Sequence, residues 1–277
     1  MRKASNRSQI SRADRRRKTQ SQSGAAKFVV ALVVIALIAA AYVIVVRSSR
    51  GLNPITLCPE RPDTITVLIV DVTDPMNLAQ QQDFQNQLVR LKNSIPRYGQ
   101  LSVVRVDATS TDLLRPVITR CNPGTSADTD QFRGNPVKLQ RQWDDGFDKP
   151  LIAAFQGIVK ASGAEQSPII ESIQSVALTE LQKPGTEGVK KNLVIASDLL
   201  QNTAAISFYG GLPDQESFIK SEAFARARTD LRGIDVELWQ LQRNDAGTTQ
   251  PRALSELWER MLDHQGGSVS RIYNVSG

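Results

Sequence analysis

The 277-residue sequence contains only one histidine and two cysteines. Neither cysteine lies near His264 in the sequence, so a His-based catalytic triad and a histidine-rich zinc site both lack support. Cys58 and Cys121 also lack the spacing of a redox or metal-binding motif. In an oxidising compartment such a lone pair favours a disulfide, with two unrelated thiols as the alternative.

Charged residues are absent from the nineteen positions 28–46. A helix of this length is ~28 Å long, close to the thickness of the hydrocarbon core of a bilayer. Residues 1–27 contain nine basic residues and one acidic residue, and basic residues beside a spanning segment stay on the cytoplasmic side. The pattern predicts a single-pass inner (plasma) membrane protein with a cytoplasmic tail (1–27), a signal anchor (28–46) and an exported C-terminal part. The alternative is a cleaved signal peptide, whose apolar region is usually shorter, ~7–15 residues.

The formal net charge of +6 is unevenly distributed. Residues 1–50 contain eleven of the 34 basic residues and one of the 28 acidic residues. Residues 51–277 therefore contain 23 basic and 27 acidic residues, a net charge of −4. This exported part shows no stripe of lysine and arginine with interleaved aromatic residues. We therefore expect no nucleic-acid partner, and we assign the basic tail to membrane topology and to contact with anionic lipid.

The exported part begins with a proline-containing linker, residues 47–63, and continues as one domain, residues 64–277. Short apolar segments rich in β-branched residues predict strands at 64–70, 101–106, 192–196, 234–241 and 268–275. Amphipathic segments predict helices at 77–94, 137–147, 150–161, 167–181, 216–231 and 251–264. Residues 107–135 lack periodicity and are interpreted as a long loop or insertion. Because the strands lack the polar alternation of a one-sided sheet, the pattern predicts an α/β fold. Its sheet is mostly parallel and is flanked by helices on both faces, as in Rossmann-like domains.

Polar side chains follow two of the predicted strands and begin one predicted helix. Asp71 and Thr73 come after strand 64–70, and Asp198 comes after strand 192–196. Ser167 stands before a proline at the start of a helix, where it is predicted to be the N-cap. Because open parallel sheets bind ligands at the carboxyl ends of their strands, we expect these residues to lie together. Two carboxylates and two hydroxyls form a set of hard oxygen ligands of the kind that Mg²⁺ prefers.

Three segments resemble the von Willebrand factor A (vWA) family over roughly residues 64–275. Asp71-x-Thr73 is similar to the Asp-x-Ser-x-Ser opening of that family's metal-ion-dependent adhesion site. Ser167-Pro-Ile-x-x-Ser-Ile is similar to its Thr-Pro-Leu-x-x-Ala-Leu helix start. Leu193-Val-Ile-Ala-Ser-Asp198 is similar to its strand that ends in Thr-Asp-Gly. The resemblance implies that Asp71, Thr73 and Ser167 bind Mg²⁺, and that Asp198 binds it directly or through water.

The sequence departs from the family pattern at two positions. Pro75 stands where the family has the second serine of its opening motif, and Leu199 stands where glycine is usual. Proline offers no side-chain oxygen, so the adhesion site is expected to be degenerate. Each site residue also has an alternative local role. Asp71, Thr73 and Ser167 are residue types that cap helices, and Asp198 can accept a hydrogen bond from its own loop.

The resemblance also implies a function, because vWA domains bind a partner protein whose carboxylate completes the coordination of the ion. We therefore expect a periplasmic protein-binding or scaffold module of an envelope complex, with no enzymatic activity and no small-molecule substrate. One alternative is a structural tether with a dead metal site. Another is a haloacid dehalogenase-like phosphohydrolase with an aspartate nucleophile and Mg²⁺. Against that alternative, Thr73 stands where that family has its second aspartate, and residues 199–203 contain no further acid.

Overall fold

The computed structural model describes residues 27–40, 42, 51–73, 75–106, 113–129, 134–160, 165–243 and 250–275. The chain divides into two compact units, Met1–Gly51 and Leu52–Gly277. In the first unit, residues 27–40 are helical (α1), and their large apolar side chains are exposed.

The segment that is predicted to anchor the chain, residues 28–46, is described only in part. Residues 41 and 43–46 lie outside the described residues, as do residues 1–26 of the predicted cytoplasmic tail. Among the described residues, no helix has both the length and the apolar character that crossing a membrane requires.

Within its described residues, the second unit is built on a six-stranded sheet. The strands are β1 (Thr64–Val70), β2 (Gln100–Arg105), β3 (Ile118–Cys121), β4 (Lys190–Ser197), β5 (Ile234–Leu241) and β6 (Ser268–Val275). Their spatial order is β3-β2-β1-β4-β5-β6; β3 is antiparallel to β2, and the other neighbouring pairs are parallel. The predicted fold class, an α/β fold with a mostly parallel sheet, is confirmed.

Helices cover both faces of this sheet. They are α2 (Leu78–Ser94), α3 (Pro136–Trp143), α4 (Lys149–Lys160), α5 (Ile169–Val176), α6 (Gln215–Ile219), α7 (Glu222–Ala227) and α8 (Ala253–His264), with π-helical turns at Asp144–Asp148 and Ala177–Leu181. The side chains of β1 alternate between two buried cores. Val67 and Ile69 share one core with α5 and α8, whereas Leu68 and Val70 share the other with α2 and α4. Because both faces of β1 are buried, its sequence is apolar almost throughout.

Two sequence-based assignments were wrong in detail. Residues 107–135, predicted as a long loop or insertion, contain β3. Only Cys121 of its four residues is buried, so the segment has no hydrophobic pattern that predicts a strand, and pairing with β2 holds it in the sheet. The single helix predicted at 216–231 is two short helices, α6 and α7. The break occurs because Ser221 begins a new helix, its hydroxyl accepting a hydrogen bond from the N–H of Phe224 (3.2 Å).

Cys58 and Cys121 form a disulfide, as predicted. The bridge joins the segment before β1 to the edge strand β3, and the N–H of Cys121 also donates to the carbonyl of Thr56 (2.9 Å). An isolated β-bridge between Leu52 and Pro59 folds the same segment back on itself. The described part of the predicted linker is therefore fastened to the edge of the sheet.

Candidate functional site

The strand order creates a topological switch point between β1 and β4. From β1 the chain continues to β2 on one side, whereas β4 is followed by β5 on the other side. The loops diverge at such a point and leave a crevice in which open α/β sheets bind their ligands. Asp71 follows β1 and Asp198 follows β4, and the N–H of Asp71 donates to the carbonyl of Ala196 (2.8 Å). The two carboxylates therefore lie on either side of the crevice.

Asp71 is buried, with 3% of its surface exposed, and both of its carboxylate oxygens accept hydrogen bonds. Oδ2 accepts from the hydroxyls of Ser167 (2.6 Å) and Ser197 (2.9 Å), and Oδ1 accepts from the N–H of Thr73 (3.0 Å). Donors of this kind stabilise the charge of a carboxylate that has lost its water. We call Asp71, Ser167, Ser197 and Asp198 the switch-point cluster.

Asp71 and Thr73 do not cap the helix that follows them. The N-cap of α2 is Asn77, whose side chain accepts from the N–H of Gln80 (2.8 Å), while the side chain of Gln80 accepts from the N–H of Asn77 (3.1 Å). The capping alternative is therefore wrong for both residues. Thr73 reaches Asp71 through its backbone N–H, and Asp74 lies outside the described residues.

Ser167 is not the N-cap of α5, contrary to the prediction. Pro168 occupies the cap position without a side-chain hydrogen bond, and the N–H of Ile170 donates instead to Oε1 of Gln201 (2.9 Å). The hydroxyl of Ser167 donates to Asp71, which lies 96 positions earlier in the sequence. The structure thus brings the side chain of Ser167 to Asp71, although its local role differs from the predicted one.

Asp198 is buried and forms an ion pair with Arg243, which sequence reasoning missed. Nε of Arg243 donates to Oδ2 of Asp198 (2.6 Å), and Nη2 donates to the same oxygen. Oδ1 accepts a hydrogen bond from the N–H of Leu200 (2.9 Å) and lies 3.4 Å from the hydroxyl of Ser197. Asp198 therefore accepts a hydrogen bond from its own loop, which was the alternative role given for it. Arg243 lies two residues beyond β5, the neighbour of β4. A basic residue just after the adjacent strand was the only sequence signal for it.

Neighbouring side chains hold Arg243 in place. Oε1 of Gln250 accepts from the N–H of Arg243 (2.8 Å), and Nε2 of Gln250 donates to the carbonyls of Asp198 (2.8 Å) and Leu241 (2.9 Å). Nη2 of Arg243 also donates to the hydroxyl of Tyr209 (3.2 Å), whose side chain is 47% exposed. The segments after β4 and β5 are thereby tied together, and Tyr209 lies at the exposed border of the site.

The pKa values of Asp198 and of the neighbouring Tyr209 are shifted. Burial raises the pKa of the Asp198 carboxyl to about 7, and the nearby Asp71 carboxylate adds to the rise. Hydrogen bonds from the N–H of Leu200 and from the hydroxyl of Ser197 act in the opposite direction, because they stabilise the ionised form of Asp198. Burial, together with the charges of the two aspartates, raises the pKa of Tyr209 to about 12. The phenol of Tyr209 is therefore neutral at pH 7.

The chain turns directly after Asp198 through Leu199, which has a left-handed backbone conformation (φ 64°). Glycine adopts this conformation most readily, and glycine is the residue that the resemblance described above leads us to expect here. Leu199 is fully buried, and its carbonyl accepts a hydrogen bond from Nε1 of Trp258 (2.8 Å). Packing and this hydrogen bond hold a turn that is unfavourable for leucine, and the turn positions Asp198.

A small cavity lies between the two carboxylates. Its volume is about 30 Å³, and its lining includes Asp71, Thr73, Pro75, Asp198 and Arg243. Mg²⁺ in proteins is usually held by one or two carboxylates together with several waters in an octahedral shell. Asp71 already accepts three hydrogen bonds, and the guanidinium of Arg243 lies against Asp198. In this arrangement the residues do not fit a hydrated Mg²⁺ ion.

Replacing Ser197 by alanine is expected to lower the free energy of unfolding by about 1–3 kcal/mol. Asp71 would lose a buried hydrogen bond to its charge, and the N–H of Leu199 would lose its acceptor (2.9 Å). Urea unfolding measures the loss. Ser94→Ala is the control, because that hydroxyl is on the exposed side of α2 and bonds only within the helix. Equal losses in the two variants would show that the cluster does not stabilise the fold.

Comparison with known proteins gives weak likenesses only. No protein-family model and no curated protein sequence matches the chain. Among solved structures, the VWA domain of SpRpn10 is 10% identical with a TM-score of 0.39, over 76% of this chain and 87% of that chain. The conserved hypothetical protein BatB from Bacteroides thetaiotaomicron is 11% identical with a TM-score of 0.38, over 76% and 91%. An aerotolerance-related membrane protein from Bacteroides fragilis NCTC 9343 is 9% identical with a TM-score of 0.34, over 77% and 92%. At these scores the likenesses carry no argument, and the α/β fold is established by the strand order and register of this chain.

Proposed function

We propose that the chain is a protein-binding or scaffold module of an envelope complex, with a vWA-like domain on a single-pass membrane anchor. The observation that carries this proposal is the switch-point cluster. Side chains from three distant segments converge there, and all of them are buried and hydrogen-bonded to one another. In an open α/β sheet this edge is where ligands bind. We therefore assign partner binding to the loops at the carboxyl ends of β1, β4 and β5.

Two features support an exported location for the vWA-like domain. The uncharged run at 28–46 follows a strongly basic tail, which supports a cytoplasmic N-terminus and a periplasmic C-terminal part. The disulfide between Cys58 and Cys121 belongs to a class of bond that persists in the periplasm and is rare in the cytosol. Each feature is independent of the other, and both favour the same topology.

Tyr209 is the side chain that we propose as a partner contact. Its ring is half exposed, and its hydroxyl is hydrogen-bonded to Arg243 at the border of the site. Gly210 and Gly211 follow it and are also exposed, so the loop offers an aromatic ring without bulky neighbours. Tyrosine is enriched at protein interfaces, because its ring buries a large apolar area while its hydroxyl remains hydrogen-bonded.

The Mg²⁺ ion that the resemblance implies at Asp71, Thr73, Ser167 and Asp198 stays a prediction. The hard oxygen atoms of these residues support it. The ion pair between Asp198 and Arg243 speaks against it, since an ion at this position would compete with a guanidinium that is already in place. The proposal of protein binding therefore includes no step that depends on the metal.

The two alternatives are less well supported by the geometry. A phosphohydrolase needs an aspartate with an accessible oxygen as its nucleophile, whereas Asp71 is buried and both of its oxygens accept hydrogen bonds. We therefore propose no enzymatic activity and no small-molecule substrate. A purely structural tether makes no use of the exposed loop around Tyr209, and this difference can be measured.

Site-directed photo-crosslinking tests the proposal. A photoreactive phenylalanine analogue replaces Tyr209 in the full-length chain, expressed in its native membrane. The control carries the same analogue at Pro184, an exposed position before the amino end of β4. We expect a discrete cross-linked product from position 209 and none from position 184. Equal or absent products at both positions would contradict partner binding at this edge and favour the tether.

A further inference from the structure

The positive charge at the switch-point cluster comes from the chain itself. We infer that Arg243 is a built-in cation that takes the place of the divalent metal, so that the site holds its carboxylates and orders its loops without a metal ion. The inference concerns the same site as the proposed function, but it does not depend on whether a partner protein binds there.

The first support is the way in which Arg243 is buried. Its side chain is 11% exposed, and the side chain of its partner Asp198 is 6% exposed. Two nitrogens of the guanidinium donate to the same carboxylate oxygen, Oδ2 of Asp198. Moving this guanidinium away would leave a carboxylate buried without a partner, which is strongly unfavourable.

The second support is that the surrounding residues fix Arg243 from several sides. Gln250 accepts a hydrogen bond from its backbone and donates to the carbonyl of Asp198, and Tyr209 accepts one from its guanidinium. These contacts come from segments before and after Arg243 in the sequence. The arginine is therefore part of a fixed arrangement, unlike the exposed arginines at the surface of the domain.

The third support is that each oxygen of the Asp71 and Asp198 carboxylates, which the resemblance assigns to the metal, accepts at least one hydrogen bond. Neutral donors satisfy Asp71, namely the hydroxyls of Ser167 and Ser197 and the N–H of Thr73. A charged donor, Arg243, satisfies Oδ2 of Asp198, and the N–H of Leu200 satisfies Oδ1. Each carboxylate thus has compensation suited to burial, and no oxygen of either carboxylate depends on a metal.

The built-in cation also defines the chemistry of a partner. A metal ion with open coordination positions attracts a carboxylate from the partner, whereas the guanidinium of Arg243 is already bonded to Asp198 and Tyr209. Among the described residues of this site, two aspartates and one arginine give a net negative charge while both aspartates are ionised. An approaching carboxylate is therefore repelled. The group that a partner presents to this edge is neutral or basic.

Manganese binding and thermal unfolding of the full-length chain in detergent test the inference. Mn²⁺ binding is followed by electron paramagnetic resonance, and unfolding temperatures are compared with Mg²⁺ and with EDTA. The variants are Arg243→Gln and, as the control, Arg226→Gln, whose exposed arginine pairs with Glu222 on α7. Arg243→Lys keeps the positive charge but loses the contact of two nitrogens with Asp198. It replaces Arg243→Gln in the comparison if Arg243→Gln does not fold.

We expect no saturable Mn²⁺ binding by the wild-type chain and the same unfolding temperature with Mg²⁺ and with EDTA. Arg243→Gln, or Arg243→Lys in its place, is expected to unfold at a clearly lower temperature than Arg226→Gln. Saturable Mn²⁺ binding that is lost in Asp71→Ala would overturn the inference, and so would equal unfolding temperatures of the two arginine variants. Neither readout depends on the cross-link from position 209, so failure of this inference and failure of the proposed function are distinguishable.

Discussion

Replacing Arg243 by glutamine is expected to lower the free energy of unfolding by about 3–5 kcal/mol at alkaline pH, where Asp198 is ionised. The carboxylate of Asp198 would then be buried without its charged partner. Urea unfolding measures the loss through the fluorescence of Trp239 and Trp258, which are both fully buried. An exposed arginine gives the matched control: Arg226→Gln is expected to change the stability little, because surface ion pairs contribute little.

The loss in Arg243→Gln is expected to depend on pH in a defined direction. Burial already raises the pKa of Asp198 to about 7, and removal of the guanidinium raises this pKa further. A carboxyl group whose pKa is higher in the folded state than in the unfolded state stabilises the fold below its unfolded pKa, about 4. That contribution is lost as the pH rises through the folded pKa. The variant should therefore be close to the wild type at about pH 4 and fall furthest behind at alkaline pH, above its own raised pKa of Asp198.

A double-mutant cycle separates the ion pair from other effects of the substitution. In the chain that carries both Asp198→Asn and Arg243→Gln, no charge of this pair remains, and the two amides are able to hydrogen-bond to each other. We expect this chain to be more stable than Arg243→Gln alone at alkaline pH, where Asp198 is ionised. If the two single losses simply add, the two side chains are not coupled, and the assigned ion pair does not operate in solution.

The parts of the site that follow buried strands could be predicted from the sequence. β1 and β4 are buried on both faces, so each contains an apolar run that is followed by an aspartate. Asp71 follows β1, and Asp198 follows Ser197, the last residue of β4. Parallel strands in a doubly wound sheet bring their carboxyl ends to one edge. Local pattern and general topology were therefore sufficient to place both carboxylates in one crevice.

The remaining parts depend on information that a local pattern does not contain. Arg243 reaches Asp198 because β5 lies beside β4 with Ser197 opposite Gln240, and the order and register of strands are set by the packing of the whole sheet. The sequence predicts Ser197 only as a residue at the end of a buried strand. The structure shows that its hydroxyl lies between the carboxylates of Asp71 and Asp198. β3 has too little apolar pattern to be recognised and is fixed by pairing with a neighbouring strand.

Replacing both Cys58 and Cys121 by serine is expected to lower the free energy of unfolding by about 4 kcal/mol in the chain-entropy description. The two cysteines are 63 positions apart, and the loop that they close contains β1, α2 and β2. Without the bridge, this long segment is unrestricted in the unfolded state. Urea unfolding should show a lower midpoint and a steeper dependence on urea, because the unfolded chain exposes more surface.

Two controls identify the cause of that loss. Adding a reducing agent to the wild-type chain should reproduce it, since reduction opens the same loop. Replacing both cysteines by alanine tests whether a serine hydroxyl at the fully buried position 121 adds a separate penalty. If the alanine pair and the reduced wild type lose less than about 1 kcal/mol, the loop closure does not stabilise the fold as calculated.

The same disulfide also connects stability to the side of the membrane on which the domain folds. Cytosolic reductants keep thiols reduced, and a loss of about 4 kcal/mol is large compared with the ~5–15 kcal/mol that stabilises most domains. A chain without residues 1–46, retained in the cytosol, should therefore contain two thiols that react with an alkylating reagent after denaturation, whereas the full-length chain should contain none. Reactive thiols in the full-length chain would contradict export, because they would show that the domain folds where the bridge does not form.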